Sequence, residues 1–67
     1  MSKAKVWLVP LHIAEELNLA GMRQNVVVDG VSMCLLTGAD LAAYGTDRAH
    51  SEGARDISLE EAKSLVS

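Results

Sequence analysis

The fold is decided by one stretch, Asn25-Val26-Val27-Val28-Asp29-Gly30-Val31-Ser32-Met33-Cys34-Leu35-Leu36. An Asp-Gly pair between two β-prone runs supplies the two positive φ angles of a type I′ turn, so the stretch predicts a β-hairpin. Pairing outward from the turn sets Val28 against Val31, Val27 against Ser32 and Val26 against Met33.

Both faces of this predicted hairpin are largely apolar. Side chains alternate across a strand, so one face is expected to carry Val26, Val28, Val31, Met33 and Leu35. The other face would carry Val27, Cys34 and Leu36 beside Asn25 and Ser32. A sheet that is apolar on two sides needs two covers, and a chain of 67 residues leaves little with which to make them. We therefore expect the chain to associate with itself, as a homodimer or a larger assembly.

Composition agrees with a small aliphatic protein. Hydrophobic residues make up 49% of the chain but aromatic residues only 3%, and the formal net charge is -3. The lone Cys34 cannot form an intrachain disulfide, which favours a reducing compartment. No apolar run approaches the roughly 20 residues of a membrane span, so we expect a cytoplasmic protein with no membrane partner.

The first half predicts a strand, a helix and the hairpin. Residues 5–9 read as a strand with Val6 and Leu8 on one side and Trp7 and Val9 on the other. Pro10 ends the strand and begins a helix predicted over 11–19, and Gly21 is its expected stop. Trp7 then falls on the hairpin's second face, so the candidate dimer interface is Trp7, Val27, Cys34 and Leu36.

The second half predicts helices. Thr37 and Asp40 have capping-box spacing, which indicates a brief helix over 39–44 that ends at Gly45. Residues 47–52 fit a polar helix or a loop equally well. Ser58 and Glu61 form a second capping box, which begins a C-terminal helix with the apolar stripe Leu59, Ala62, Leu65 and Val66. The fold class is therefore α+β, with a three-stranded unit over 1–37 and an acidic helical extension over 38–67 packed on it.

The first half resembles a known family. The run Val6-Trp7-Leu8-Val9-Pro10, then Ile13-Ala14-Glu15-Glu16-Leu17-Asn18-Leu19, then Gly21 and the valine hairpin, is similar to the swapped-hairpin AbrB/MazE fold. The resemblance implies an intertwined homodimer in which each hairpin completes the partner's sheet. It also implies a DNA-binding transcription regulator or an antitoxin.

This resemblance gives the charged residues possible roles. Phosphate contacts need Lys or Arg, and the first half offers Lys3, Lys5 and Arg23 as the candidates. The acidic second half would suit an antitoxin that covers a basic partner, with Leu59, Ala62, Leu65 and Val66 laid in the partner's groove. The alternative is that this helix packs back on its own sheet.

No catalytic residues can be assigned. His12, His50 and Cys34 lie in unrelated elements, with no spacing that links a nucleophile to a base or pairs ligands for zinc, and we expect no metal and no cofactor. Two hypotheses remain. One is the AbrB/MazE-like regulator or antitoxin, and the other is an oligomeric protein-interaction or structural module, for example of a mobile element, that binds no nucleic acid.

Overall fold

The computed structural model describes residues 5–66, which form a four-stranded antiparallel sheet with helices on both faces. The sheet order is β2-β3-β1-β4, so β2 and β4 are the edge strands. In chain order the elements are β1 (Lys5–Pro10), α1 (Leu11–Glu16), β2 (Asn25–Val28), β3 (Val31–Leu36), α2 (Gly38–Leu41), α3 (Thr46–Ser51), β4 (Arg55–Ser58) and α4 (Leu59–Val66).

The predicted hairpin is confirmed, including its register. Val28 pairs with Val31, Val27 with Ser32, and Val26 with Met33. Asp29 and Gly30 have φ angles of 53° and 78°, which are the two positive values that a type I′ turn requires.

The prediction of a three-stranded unit is wrong by one strand, because β4 adds a fourth. Arg55–Ser58 pairs antiparallel with β1, with Ile57 opposite Val6 and Ser58 opposite Lys5. Ile57 is the one apolar residue of β4, so the strand has no alternation by which to recognise it. The described part of the predicted helical extension, residues 38–66, thus contributes to the sheet as well as to its cover.

Helix α1 ends earlier than predicted and at a different residue. It stops at Glu16 rather than at Leu19, because Asn18 adopts a left-handed φ of 60°. The Asn18 N–H donates to the Glu15 carbonyl at 3.1 Å and the Leu19 N–H to the Ala14 carbonyl at 2.8 Å, which together form a Schellman motif. Asparagine tolerates this conformation, so Gly21 is not needed as the stop.

Of the later helices, α2 and α4 begin at their predicted caps, whereas α3 begins after Gly45 with no side-chain cap. The Thr37 and Asp40 side chains form the predicted capping box, although α2 is a single turn, Gly38–Leu41, and not the longer helix over 39–44. Residues 46–51 are helical, which decides between the two alternatives left for that segment. The Ser58 hydroxyl accepts from the Glu61 N–H at 3.1 Å and begins α4.

The sheet is covered on both faces by the chain itself. On one face, which we call the three-helix face, β1 and β3 pack beneath α1, α2 and α3. The buried residues there are Val9, Ile13, Ala14, Cys34, Leu36, Leu41, Tyr44, Ala49 and Ala54.

On the opposite face, the α4 face, a single helix is the cover. Its buried residues are Leu8, Val26, Ile57 and Ala62, with Val6, Val28, Met33, Leu35 and Leu65 packed around them. The premise that this chain has too little left to cover a two-sided sheet is therefore wrong. Short helices suffice because each needs to contribute only one or two buried side chains. Exchange of hairpins between two chains is a property of an assembly and stays a prediction.

Candidate interaction surface

Within residues 5–66, the outer edge of β2 has main-chain groups that no other strand pairs with. In a hairpin closed by a two-residue turn, the residues that flank the turn exchange hydrogen bonds, and bonded residues then alternate along the strand. At the far end of the hairpin, the Leu35 N–H donates to the Gln24 carbonyl at 2.9 Å, so Gln24 and Leu35 are a bonded pair. This pair agrees with the alternation counted from the turn. The N–H and C=O groups of Asn25 and Val27 therefore point away from β3. We call this side of the strand the β2 edge.

The β2 edge differs from the opposite edge of the sheet in charge. Neither β2 nor β3 contains a charged residue, and the Val27 side chain is 69% exposed. Strand β4 places the exposed Arg55 and Asp56 on the other edge. Charged residues on an edge strand discourage pairing with another chain, so β4 is protected in a way that β2 is not.

A groove of about 400 Å³ runs beside the β2 edge. Leu11 and Val27 line it on the side of the three-helix face, and Leu65 and Val66 from the C-terminal end of α4 line it on the α4 face. A second depression of about 310 Å³ lies between α4 and the sheet and shares Val66 with the first. The polar residues Gln24, Asn25 and Ser32 line the rest of the first groove, and the apolar part of its lining continues onto α4.

The predicted partner-binding stripe of α4 is divided by this packing. Ala62 is buried and Leu65 is half-buried against the chain's own sheet. Leu59 and Val66 remain 41% and 47% exposed. The helix thus packs on the sheet through its middle and leaves an apolar residue near each end at the surface.

The predicted dimer-interface residues are also separated. Cys34 and Leu36 are fully buried beneath the helices of the three-helix face, and Trp7 is half-buried against them. Burial raises the pKa of the Cys34 thiol. Only Val27 of the four is exposed, because α1 to α3 cover the centre of this face and leave the outer edge uncovered.

Two of the three candidate DNA-contacting residues, Lys5 and Arg23, lie beside carboxylates. Arg23 makes a bidentate pair with Asp40, with Nε and Nη2 each 3.0 Å from a carboxylate oxygen, and Lys5 lies 3.3 Å from Asp56. The Arg23 guanidinium and the Thr37 N–H hold the pKa of Asp40 well below its usual range. Lys3 lies outside the described residues. Phosphates would have to compete with an acidic partner for both Lys5 and Arg23.

A polar cluster that sequence reasoning missed joins α1 to α3. Glu52 Oε1 accepts from Tyr44 Oη at 2.6 Å and lies 2.9 Å from His12 Nε2, while Glu52 Oε2 accepts from Arg48 Nε at 3.3 Å. The Arg48 guanidinium lies 4.2 Å from the centre of the Tyr44 ring. The hydrogen bonds from His12 and Tyr44 lower the pKa of Glu52 to about 2, and the bond to Glu52 raises that of Tyr44 to about 12.

This cluster links α1 to α3 through side-chain hydrogen bonds. Both oxygens of Glu52 already accept hydrogen bonds, and its low pKa makes it a poor proton acceptor near neutral pH. The Arg48 and Glu52 pair has the i, i+4 spacing that sequence can reveal. His12 lies 40 residues from Glu52, a separation that leaves no local pattern.

Two further features bear on the kind of site. Within residues 5–66, no group of three or more His, Cys, Asp or Glu residues is placed to hold a metal ion. The helices in this range are also too short or too polar to cross a bilayer.

No family model, no curated protein and no solved structure matches this chain. The resemblance to the AbrB/MazE fold therefore rests on the residues of the first half alone and stays a prediction.

Proposed function

We propose that this chain is a small homo-oligomeric interaction module whose role is binding. The observation that carries the proposal is the β2 edge, an uncharged edge strand with Val27 exposed beside a groove that polar and apolar residues line in similar measure. An edge strand of this kind offers main-chain donors and acceptors together with apolar contact, which is what strand addition uses.

The packing of the two faces supports an edge interaction over a face interaction. Both faces are already covered, so a partner seated on either would have to displace helices and expose buried aliphatic residues. Pairing at the β2 edge displaces none of them. Covering Val27 alone would contribute about 1–2 kcal/mol, because most of that side chain is still in water.

Sedimentation velocity of the full chain over a range of concentrations tests the proposal. We expect the average mass to rise with concentration toward that of a dimer or a larger assembly. A single species with the mass of one chain at every concentration would contradict it.

A DNA-binding regulator or antitoxin is the second candidate, and the strand, proline helix and hairpin of the first half are the features that favour it. Gel retardation of random duplex DNA at low salt distinguishes the two, since phosphate attraction without sequence preference appears under these conditions. The interaction module predicts no retardation at micromolar protein. Retardation that is lost in a Lys5→Ala, Arg23→Ala double variant, but kept in a Lys63→Ala control, would establish the DNA-binding candidate instead.

A further inference from the structure

The geometry points to a particular partner for the β2 edge, namely a second copy of this chain. We propose that two copies pair antiparallel through β2 around a two-fold axis at Val26, which joins their sheets into one continuous sheet. This inference rests on the proposed function and specifies how self-association occurs.

The outward main-chain groups determine the register. Antiparallel strands exchange hydrogen bonds only between residues whose N–H and C=O groups both point toward the neighbour, and on this edge those residues are Asn25 and Val27. An axis at Val26 sets Asn25 opposite the partner's Val27 and the reverse, so two pairs of main-chain hydrogen bonds form. An axis at Val27 would form one such pair and set Asn25 opposite Asp29, where the chain has already turned with φ of 53°. The axis at Val26 therefore forms more main-chain hydrogen bonds along the β2 edge than the axis at Val27.

Charge favours a second copy as the occupant. A strand paired with its own copy brings like side chains close together, and β2 has no charge that this pairing would oppose. The hairpin partner β3 is equally uncharged. Pairing of two β2 edges therefore meets no like-charge repulsion within these strands, whereas pairing of two β4 edges would bring two copies of Arg55 and Asp56 together.

The surroundings of the edge supply apolar contact. The two-fold axis brings the groove residues Leu65 and Val66 of one copy toward those of the other on the α4 face. On the three-helix face, Val27 of each copy enters the groove side lined by Leu11. One adjustment is needed, because the Gln24 side chain donates to the outward Asn25 carbonyl at 3.1 Å and must swing away. Gln24 is exposed, so it has room to move.

The size of this contact sets the expected strength. An interface made of one short strand and the end of one helix from each copy should bury less than about 1,200 Å² of accessible surface in total. Interfaces of this size are typical of weak assemblies. We therefore expect a dimer that dissociates on dilution. A swapped-hairpin dimer would instead separate only when the chain unfolds.

Two variants of the full chain test the inference, with a matched control. Val27→Lys places a charge beside the axis in each copy, and we expect it to weaken dimerisation by at least about tenfold. Val27→Pro removes an outward N–H that takes no part in the pairing of β2 with β3, so it should also abolish the dimer while the hairpin remains. The control is Val31→Lys, since Val31 is a 54% exposed valine of the same hairpin that lies off the β2 edge. We expect its dimer to form as in the parent chain.

Hydrogen exchange of the parent chain adds a readout that needs no substitution. The Asn25 and Val27 amides should become protected as concentration rises, and the amides of β4 should not. A parent dimer that Val27→Lys and Val27→Pro both leave unchanged would overturn the β2 pairing while the proposed function stands. A parent chain that is monomeric throughout would overturn both.

Discussion

The strongest consequence of the fold is that one chain covers its own sheet, and the buried Leu41 of α2 tests it. Leu41 is fully buried and is the one buried residue of that single-turn helix. The substitution Leu41→Ala removes this cover and leaves a cavity against the three-helix face. Leucine-to-alanine changes at fully buried sites cost about 2–5 kcal/mol, and we expect a value near 3 kcal/mol here because the small α2 can relax in part.

This magnitude is large for a chain of 67 residues. A domain of this length is expected to have a free energy of unfolding of about 3–10 kcal/mol, so the variant should lose a third or more of it. The melting temperature should then fall by more than about 10 °C, since each kcal/mol shifts it by about 4–8 °C at this size. The matched control is Leu59→Ala, which removes the same atoms from a side chain that is 41% exposed and should cost less than about 1 kcal/mol.

Urea denaturation of both variants and the parent, each at two dilute concentrations, is the assay. The midpoint of the parent chain should not depend on protein concentration over this dilute range, because the proposed dimer is weak and one chain covers both faces of its own sheet. A midpoint that rises with concentration at high dilution would refute this reasoning and favour an obligate, intertwined dimer. A loss below about 0.5 kcal/mol for Leu41→Ala would show that α2 does not cover the sheet as described.

Two further predictions concern the polar contacts that hold the helices. The pKa of Glu52 is lowered from 4.5 to about 2 in the folded chain, so its contribution to stability is present above pH 4.5 and is lost as pH falls toward 2. Glu52→Gln should flatten the loss of stability over that interval in urea midpoints measured against pH, and an unchanged profile would contradict the cluster. Thr37→Ala should cost about 1 kcal/mol in the same assay, because the Asp40 N–H loses its side-chain acceptor, whereas Thr37→Ser should retain most of the stability. Equal losses in both variants would argue against the cap.

The parts of the fold that sequence predicts are those fixed by neighbouring residues. The Asp29-Gly30 turn sets the register of the hairpin because its two positive φ angles and the alternation of the valines are both local. The caps at Thr37 and Ser58 are predictable for the same reason, since each involves a residue three positions away.

The parts that sequence does not predict depend on distant partners. Strand β4 forms because β1 offers it an edge, and Lys5 pairs with Ser58 across almost the whole chain. The interaction surface shows the same limit. The assignment of residues to the two faces of the sheet is correct. Whether a helix covers a face depends on single buried residues such as Ala49 and Ala62, and their short helices give only a weak periodic signal in the sequence. The predicted interface therefore fell on Cys34 and Leu36, which the helices bury.

The helices lie on the two faces of the sheet, and this placement explains why we propose the β2 edge as the binding surface. Alanines form much of the contact between helices and sheet, so the helices lie close to the strands and few large side chains are needed. The described helices lie on the two faces of this sheet, and within residues 5–66 no strand pairs with the outer side of the uncharged β2. A charged residue on this edge would protect it from pairing, as Arg55 and Asp56 protect β4. Because a strand edge holds its main-chain donors and acceptors at a fixed spacing, the proposed second copy would pair with it without having to order a new segment of chain.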